Sequence, residues 1–523
     1  MSARRAWGLL LCWLLLIAGG AAIRIPRLDA RPMHADEAVQ AARFRDLWIT
    51  GQYRYDPHEF HGPTLIYATL PSVLAGNAAT FADTTEAMYR AVPVAFGVGL
   101  LFLFWLLRDA LGRAGSLWAT LLAGCSPACV FYSRYYIHET LLAFFTLAAI
   151  ALGWRYVRSG RLAWCLAAGA AIGLMQATKE TAAIAYLAGL AALAATVLPA
   201  RRAAGGPPRD LPVRCWHLAL GAAVAVLVAI TLLSSFFTHP RGIVDGVLTY
   251  VPWLSRAGGA SPHVHPWHFY FQRLIWWRGG GAGPLWSEVL IVGLAAIGCA
   301  ASVGSRPRWL RDGHAGFLRW MAWYTIAAVV IYTVIPYKTP WCLLQFLLGM
   351  IVLAGAGATV LCRAVRSRYA AFAVGVLLAV GAAHLAWQAC RASYSLVADP
   401  RNPYTYSQTS TGAVELGAQL QELAESSDRG YHTPVKVVWN DPYYWPLPWY
   451  LRRFADVELW TSLPADAAAP LVIAAPQHDA QLTTQLEATH IMTGYFELRP
   501  QVLAMLWVRL ELWEQMLRRQ GRI

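Results

Sequence analysis

The chain has 523 residues, of which 57% are hydrophobic and only 14% are charged, and this composition excludes an ordinary soluble globular protein. The formal net charge of +14 is compatible with nucleic-acid binding, but the basic residues form small clusters between apolar segments and not one exposed face. We therefore predict a polytopic α-helical membrane protein with no nucleic-acid partner.

Apolar segments long enough to cross about 30 Å of hydrocarbon recur through the first three quarters of the chain. They predict about 11 transmembrane helices, near residues 6–23, 92–108, 115–132, 139–157, 162–178, 181–199, 216–237, 286–304, 318–336, 341–362 and 370–390. For the first segment a cleaved signal peptide is the alternative, because the small residues of LLIAGGAA follow an apolar run behind two arginines.

Arginines between these segments predict how the chain is oriented. If the N-terminus is cytoplasmic, short arginine-rich loops alternate with loops that are nearly uncharged or long and mixed, as the positive-inside rule requires. The inside set is Arg4, Arg5, Arg108, Arg113, Arg155, Arg158, Arg161, Arg201, Arg202, Arg209, Arg214, Arg306, Arg308, Arg311, Arg319, Arg363, Arg366 and Arg368. An odd number of spans then places the C-terminal tail outside the cytoplasm. The expected location is the cytoplasmic (inner) membrane.

Two long loops are expected on the outer face of a transmembrane domain formed by residues 1–390. The loop at 24–91 contains HGPTLIYATLPSVLAGN, which Pro63 and Pro71 interrupt, so a helix lying in the interface suits it better than a span. The loop at 238–285 is rich in glycine, tryptophan and histidine and is expected to form a flexible rim. Residues 200–212 are expected to be a cytoplasmic linker.

The tail at 391–523 has a different character. The β-rich stretches VKVVW, DVELW and PLVIAA alternate with helical patterns at 411–426 and 477–489, which predicts a small extracytoplasmic α/β domain. An aromatic cluster within it, NDPYYWPLPWYLRRF, suits either stacking on sugar rings or packing of the domain core, and packing is the commoner use.

Ionisable residues recur at the outer ends of the predicted spans. They are Asp36 and Glu37 in MHADEAVQ, Arg134, His138 and Glu139 in SRYYIHET, Lys179 and Glu180 in TKET, and Lys338 in YKTPW. Each set alone has an ordinary structural explanation, such as a solvated cap or a lysine that reaches the headgroups. Ionisable groups near hydrocarbon are costly, however, so four sets on one membrane face indicate pairing or function.

Carboxylates beside cations at a membrane surface suit the transfer of a sugar from a lipid phosphate. A carboxylate can take the proton of an acceptor hydroxyl as it attacks the anomeric carbon. The departing lipid phosphate is a weak base, so it needs positive charge and not a proton. Glycoside hydrolysis differs, because a second carboxyl group must protonate the leaving oxygen.

The order of HADEA, GPTLIYATLP, SRYYIHET, TKE and KTPW resembles the membrane glycosyltransferases of the GT-C superfamily, close to the protein mannosyltransferase and aminoarabinose transferase branch. PLPWYLRR at 446–453 is similar to a prokaryotic subfamily associated with flippase activity in archaeal N-glycosylation. The resemblance covers residues 1–390 and this tail motif. It implies a GT-C-like transmembrane domain.

The resemblance also implies a hexosyl- or pentosyltransferase that uses a polyprenyl-phosphate-linked sugar donor and a glycan, lipid or protein acceptor. Transfer would be inverting and would occur on the outer face, among the membrane lipids. Carried over by position, Asp36 is the preferred catalytic base, and Glu37 is its partner or the second candidate. Lys338 and Arg134 would face the donor phosphate. The remaining substrate-binding candidates are His138, Glu139, Lys179 and Glu180, where Glu139 replaces a frequent aspartate.

Two points stay open at the level of sequence. The alternative function is a non-catalytic component of a lipid-linked sugar flippase or transporter, although such a protein is expected to carry charges in mid-span. A divalent cation is a possible cofactor, and no fixed ligand spacing identifies its site. The candidate ligands on the outer side are His34, His58, His61, Glu139 and His265.

Overall fold

The computed structural model describes residues 3–58, 61–204, 212–259, 261, 263–279, 281, 283–304 and 313–523. The helices of its first part are α1 (Ala3–Arg24), α2 (Ala35–Thr50), α3 (Thr64–Ala75), α4 (Glu86–Leu106), α5 (Gly112–Cys125), α6 (Pro127–Tyr132), α7 (Glu139–Ser159), α8 (Leu162–Gln176), α9 (Ala182–Ala204), α10 (Cys215–Leu233), α11 (Arg241–Leu248), α12 (Tyr250–Ala257), α13 (Phe269–Ile275), α14 (Val289–Val303), α15 (Ala315–Val334), α16 (Leu344–Ala364) and α17 (Arg368–Cys390). The tail adds α18 (Thr411–Ser426), α19 (Leu447–Tyr450), α20 (Asp479–Leu486) and α21 (Leu510–Arg519), with strands β1 (Val435–Val438), β2 (Val457–Trp460), β3 (Leu471–Ala474), β4 (His490–Arg499) and β5 (Val502–Arg509).

In the described part of the chain, eight helices are long and apolar enough to cross a membrane. They are Trp7–Arg24, Glu86–Leu106, Glu139–Ser159, Ala182–Pro199, Cys215–Leu233, Ala315–Val334, Pro340–Ala364 and Arg368–Ser395. The other three predicted spans are also helical but shorter: α8 and α14 have 15 residues each, and Pro127 starts a new helix after a break between α5 and α6. The chain is a multi-pass membrane protein, as predicted.

Helix α16 forms the centre of the bundle. Its apolar window is wholly buried, and α5, α7, α14 and α15 pack around it. Two glycines permit this approach. A Cβ at Gly355 would lie 2.3 Å from the carbonyl oxygen of Gly115 in α5, and one at Gly357 would lie 1.9 Å from that of Leu294 in α14. Small residues thus let the backbones of three helices come into direct contact.

Both outer loops contain helices. The loop at 24–91 contains α2 and α3, and α3 is a 12-residue helix too short to span, as expected. The loop at 238–285 contains α11, α12 and α13, which were not predicted. Most of the expected linker at 200–212 lies outside the described residues, as do Arg209, Arg306, Arg308 and Arg311.

The tail folds around a five-stranded sheet of order β2-β1-β3-β5-β4. β1 is parallel to β2 and β3, whereas β5 is antiparallel to β3 and β4. Apolar clusters cover both faces, with α18, α19 and α21 on one and α20 on the other. The three predicted strands and both predicted helices are present. The β4–β5 hairpin and α21 were not predicted.

The aromatic cluster of PLPWYLRR packs against the transmembrane domain. Trp449 is 1% exposed, and its indole N–H donates to Glu86 at the start of α4 at 2.7 Å. The hydroxyl of Tyr450 accepts a hydrogen bond from the backbone N–H of Met33 at 3.2 Å. Arg452 donates to the backbone carbonyl oxygen of Thr84 at 3.0 Å. Trp449, Tyr450 and Arg452 therefore pack against the first loop and join the tail to it.

Candidate functional site

Helix α2 begins directly after His34, and this start separates the two acidic residues of MHADEAVQ. The Nδ1 atom of His34 accepts a hydrogen bond from the backbone N–H of Asp36 at 3.0 Å. The Glu37 carboxylate accepts one from the backbone N–H of His34 at 3.0 Å. This capping box turns Glu37 inward, where its side chain is 0% exposed, and leaves the side chain of Asp36 50% exposed.

Glu37 is saturated with hydrogen bonds. Arg90 binds both carboxylate oxygens, at 2.9 and 2.7 Å, and Arg31 donates to Oε1 at 2.8 Å. The backbone N–H of Tyr136 donates to the same oxygen at 2.9 Å. Burial raises the pKa of Glu37, but the two guanidinium groups lower it more, so the pKa lies well below its usual range. We assign this carboxylate a positioning role, because it is poorly suited to accept a proton.

Asp36 has no arginine or lysine within ion-pair distance among the described residues; its contact is His34, 3.9 Å away. Because Nδ1 of His34 is an acceptor, the imidazole proton lies on Nε2, which donates to the carbonyl oxygen of Tyr406 at 2.9 Å. Burial lowers the pKa of His34 and favours this neutral form. The exposed carboxylate of Asp36 is therefore available to a substrate hydroxyl.

The guanidinium group of Arg134 forms hydrogen bonds with the backbone of the first loop. Its guanidinium donates to the carbonyl oxygen of Arg24, to that of Pro26 at 2.8 Å and to that of Arg27 at 3.0 Å. It also lies over the ring of Tyr394, 4.6 Å from the centroid, and is only 7% exposed. These contacts hold the segment that leads to Asp36. They do not favour the expected contact between Arg134 and a donor phosphate, which stays a prediction.

A second cluster joins the SRYYIHET and TKET turns. Lys179 forms a buried ion pair with Glu139 at the start of α7, and not with its neighbour Glu180. Glu180 contacts Nδ1 of His61 at 2.9 Å. Burial raises the pKa of Glu180, but His61 and Lys179 lower it to about 2. Burial lowers the pKa of Lys179, but the Glu139 carboxylate raises it by more, so the pKa lies above the usual range. The Glu180 carboxylate and the Lys179 ammonium group are therefore both charged at neutral pH.

Gly62 brings the GPTLIYATLP segment to this second cluster. A Cβ there would lie 2.1 Å from the carbonyl oxygen of Ala177, so only glycine allows the two segments to pass. The backbone N–H of Gly62 donates to Thr178 at 3.0 Å, and the hydroxyl of Thr64 donates to Ala177 at 2.6 Å. The Nε2 atom of His138 lies 3.0 Å from the Gly62 carbonyl oxygen. Three motifs that are distant in the sequence therefore meet here.

Lys338 is held between the second outer loop and α16. Its backbone N–H donates to the carbonyl oxygen of His263 at 2.9 Å. Its Nζ donates to the carbonyl oxygens of His265, at 3.2 Å, and of Ile335. The residue is 1% exposed, no described carboxylate lies within ion-pair distance, and burial lowers its pKa. One of the three Nζ–H groups remains free for an anion.

Tyr406 connects the first loop to the second outer loop. Its hydroxyl contacts Nδ1 of His263 at 2.7 Å and Nε2 of His265 at 3.1 Å. Its carbonyl oxygen accepts a hydrogen bond from Nε2 of His34. Burial raises the pKa of Tyr406, and Asp36 lies close enough to raise it further. The segment that follows α17 is therefore part of the site and not only a linker to the tail.

Tyr337, directly before Lys338, lies close to the charged groups of both clusters. Burial raises its pKa, Lys179 lowers it, and the carboxylates of Asp36 and Glu139 raise it again. Direct contacts link the sets: Tyr136 of SRYYIHET donates to Glu37, and Lys179 pairs with Glu139. Tyr406 contacts both His34 and His265, and the carbonyl oxygen of His265 accepts a hydrogen bond from Lys338. The structure thus brings the four predicted polar sets to one region of the molecule.

The metal candidates do not converge. The described residues contain no group of three or more histidine, cysteine, aspartate or glutamate side chains placed to hold a metal ion. His34 uses both ring nitrogens, Glu139 faces Lys179, and His265 contacts Tyr406. His61 contacts Glu180 and packs against the ring of His138. These residues do not fit a divalent-cation site, and no step of the mechanism below depends on one.

Three residues that build the site were absent from the sequence prediction. Arg90 had a signal, because an arginine in the first turns of an apolar helix is costly unless it is paired. Arg31 and Tyr406 had none, since each lies in an irregular segment and acts through long-range contacts. Their partners, Glu37 and His263, are 6 and 143 positions away.

Comparisons with known proteins were made by sequence and by structure. The profile of the family described as dolichyl-phosphate-mannose-protein mannosyltransferase matches residues 70–234. No curated protein matches the chain by sequence. The profile match covers α4 to α10 and the end of α3, and therefore includes the SRYYIHET and TKET motifs.

Solved structures share the fold over almost the whole chain. ArnT from Cupriavidus metallidurans bound to undecaprenyl phosphate aligns with a TM-score of 0.64 at 14% identity, over 94% of this chain and 97% of that chain. The oligosaccharyltransferase of Archaeoglobus fulgidus tethered with an acceptor peptide aligns with a TM-score of 0.58 at 13% identity, over 94% and 74%. The expected GT-C fold, with its small C-terminal domain, is confirmed.

Proposed function

We propose that this membrane glycosyltransferase of the GT-C superfamily transfers a sugar from a polyprenyl-phosphate-linked donor to an acceptor hydroxyl or amide outside the cytoplasm. The observation that carries the proposal is the contrast between the two adjacent carboxylates. Glu37 is buried and paired, whereas Asp36 is 50% exposed and free of arginine and lysine partners in the described chain. The structures of undecaprenyl-phosphate-bound ArnT and dolichol-phosphate-bound AglB support this class of donor.

In the proposed reaction, the acceptor attacks the anomeric carbon of the donor from the side opposite the lipid phosphate. The bond between the acceptor atom and the anomeric carbon forms as the bond to the phosphate oxygen breaks. The carboxylate of Asp36 takes the acceptor proton, and the lipid phosphate leaves with the bonding electrons. The configuration at the anomeric carbon is therefore inverted.

The leaving phosphate gains negative charge and requires fixed positive charge. Lys338 suits this role, because its position is fixed by three backbone hydrogen bonds and no described carboxylate neutralises it. Lys179 suits it less, since Glu139 pairs with it. The remaining polar residues then orient the turns that carry these groups.

The proposal is tested with purified full-length protein and a panel of polyprenyl-phosphate-linked hexoses and pentoses. Release of polyprenyl phosphate and transfer of the sugar are measured with and without a chelator. Transfer from at least one donor is expected, and the chelator should leave it unchanged. Binding of lipid-linked sugars without any transfer would favour the alternative, a non-catalytic flippase component.

The location of the tail on the outer face belongs to the same proposal. Arginine-rich short loops on the opposite side support it. A reporter that is active only outside the cytoplasm, fused after Ile523, is expected to be active, whereas the same reporter fused after Arg366 in the loop between α16 and α17 should be silent. Activity of only the second fusion would contradict the orientation and the proposed face of transfer.

Substitutions of Lys338 distinguish two roles for this residue, which are binding of the donor phosphate and anchoring of the loop. Lys338→Met is expected to lower transfer about 10²-fold or more at saturating donor, because the leaving group loses a fixed positive charge. Lys338→Arg should retain part of the activity. Burial lowers the pKa of Lys338, so its charge is lost at lower pH than for an ordinary lysine. The alkaline fall in activity should therefore move to higher pH in Lys338→Arg.

Lys436 provides a matched control for this lysine. It lies on β1 in the tail and also donates to two backbone carbonyl oxygens. Lys436→Met should leave transfer unchanged. Full activity of a folded Lys338→Met protein would show that this lysine is only an anchor, and the donor phosphate would need another partner.

A further inference from the structure

A small cavity lies behind the first loop, on the side of Glu37 that faces the end of α17. Its walls come from the first loop, α4, the turn between α6 and α7, and the segment after α17. The lining residues are Arg27, Leu28, Arg31, Arg90, Phe131, Arg134, Ser393 and Val397. Half of these residues are arginines, which is an unusual lining for a cavity at the edge of a membrane domain.

Two of the lining residues each carry a buried polar side-chain atom that has no hydrogen-bond partner among the described residues. The two atoms are Nε of Arg31 and Oγ of Ser393. Arg31 is 6% exposed and Ser393 is 4% exposed. A buried N–H or O–H without a partner is costly, so two that line one cavity indicate a ligand that accepts hydrogen bonds.

The charge around the cavity is unbalanced. Arg31 and Arg90 share the single carboxylate of Glu37, and the buried Arg134 has no described carboxylate within ion-pair distance, whereas Arg27 is exposed. Arg134 donates to backbone carbonyl oxygens and to the hydroxyl of Tyr394, all of them uncharged acceptors. Burial and the neighbouring arginines together lower the pKa of Arg134 to about 10. A buried excess of positive charge is stabilised by an anion.

The size of the cavity restricts the anion. The centre of a water-sized sphere has about 10 Å³ in which to move, which is room for one such atom. A monatomic halide can occupy this space with modest adjustment of the side chains. A tetrahedral oxyanion such as phosphate or sulfate carries four oxygen atoms and does not fit.

We propose that this cavity is a halide site, in which chloride accepts hydrogen bonds from Arg31 Nε and Ser393 Oγ and balances the arginines behind the first loop. Asp36 is not among the lining residues, so this site is distinct from the proposed base. Its role is to stabilise the loop from which α2 begins.

The test uses the full-length protein in detergent, with chloride or bromide replacing gluconate at constant ionic strength. Halide is expected to raise the Tm by about 2–5 °C with a saturating dependence on concentration. Ser393→Ala should raise the half-saturating concentration about tenfold, because one hydrogen bond to an anion is lost. Bromide should appear in the cavity by anomalous diffraction.

Ser302→Ala is the matched control, because Ser302 is equally buried in α14 but donates to Gly298 within its own helix. This variant should keep the wild-type halide dependence. An equal Tm in chloride and gluconate would show that the cavity holds only water. The same half-saturation in Ser393→Ala and wild type would place any halide elsewhere, and a stronger response to phosphate than to chloride would identify a headgroup-type anion; each of these results overturns the proposal.

Discussion

Asp36→Asn is expected to lower the rate of sugar transfer by about 10²- to 10⁴-fold, because the amide cannot take the proton of the acceptor. The Tm should stay close to that of wild type, since the carboxylate is 50% exposed and its described ion-pair contact is a neutral histidine. Donor affinity should also change little. The measurements are single-turnover transfer at saturating donor, thermal unfolding and binding of the lipid-linked sugar.

Asp46 supplies a control on the same helix. Its side chain is 57% exposed and contacts Arg43 at 3.4 Å, on the part of α2 that is distant from His34. Asp46→Asn should therefore keep both transfer and stability. Near-normal turnover by a folded Asp36→Asn protein would remove Asp36 from the mechanism. The base would then have to be sought among the other exposed acids of the outer face.

The fold was largely predictable because membrane helices carry a strong local signal. All eleven apolar segments are helices, and their boundaries agree to within a few residues, apart from the start of α4, in which Glu86 and Arg90 lower the hydropathy. The short strands of the tail were found where apolar runs are bounded by turn residues. β4 was missed because its exposed and half-buried residues do not alternate regularly and a register shift between Met492 and Gly494 interrupts its pairing.

The site was only partly predictable, because its polar groups pair across long distances in the sequence. The motifs predicted that Glu139, Lys179, Glu180 and Lys338 lie on one face, but not that Lys179 pairs with Glu139. Such pairing depends on how α7, α8 and α9 pack. The acidic pair of MHADEAVQ was found, whereas the different roles of its members depend on one helix start, at His34.

Glu37 should therefore respond to mutation in the opposite way to its neighbour. Glu37→Gln is expected to destabilise the folded protein by about 3–5 kcal/mol, because Arg31 and Arg90 are left buried without a counter-charge. Transfer should fall only as far as the folded fraction falls. The measurements are thermal unfolding in detergent and transfer per folded molecule, alongside Asp36→Asn.

The pH dependence and a double variant make this prediction specific to the ion pairs. The pKa of Glu37 is lowered in the folded state, so its stabilisation is complete above the pKa of the unfolded chain, about 4.3, and is lost only as the pH falls through the folded value. The stability difference between wild type and Glu37→Gln should thus be constant from about pH 8 to pH 6 and should shrink in strong acid.

Adding Arg31→Gln to Glu37→Gln removes one of the two unpaired charges and should restore part of the stability, although Arg31→Gln alone is destabilising. Additive losses in the double variant would show that Arg31 and Glu37 act independently, and the positioning role of Glu37 would then rest on Arg90 alone.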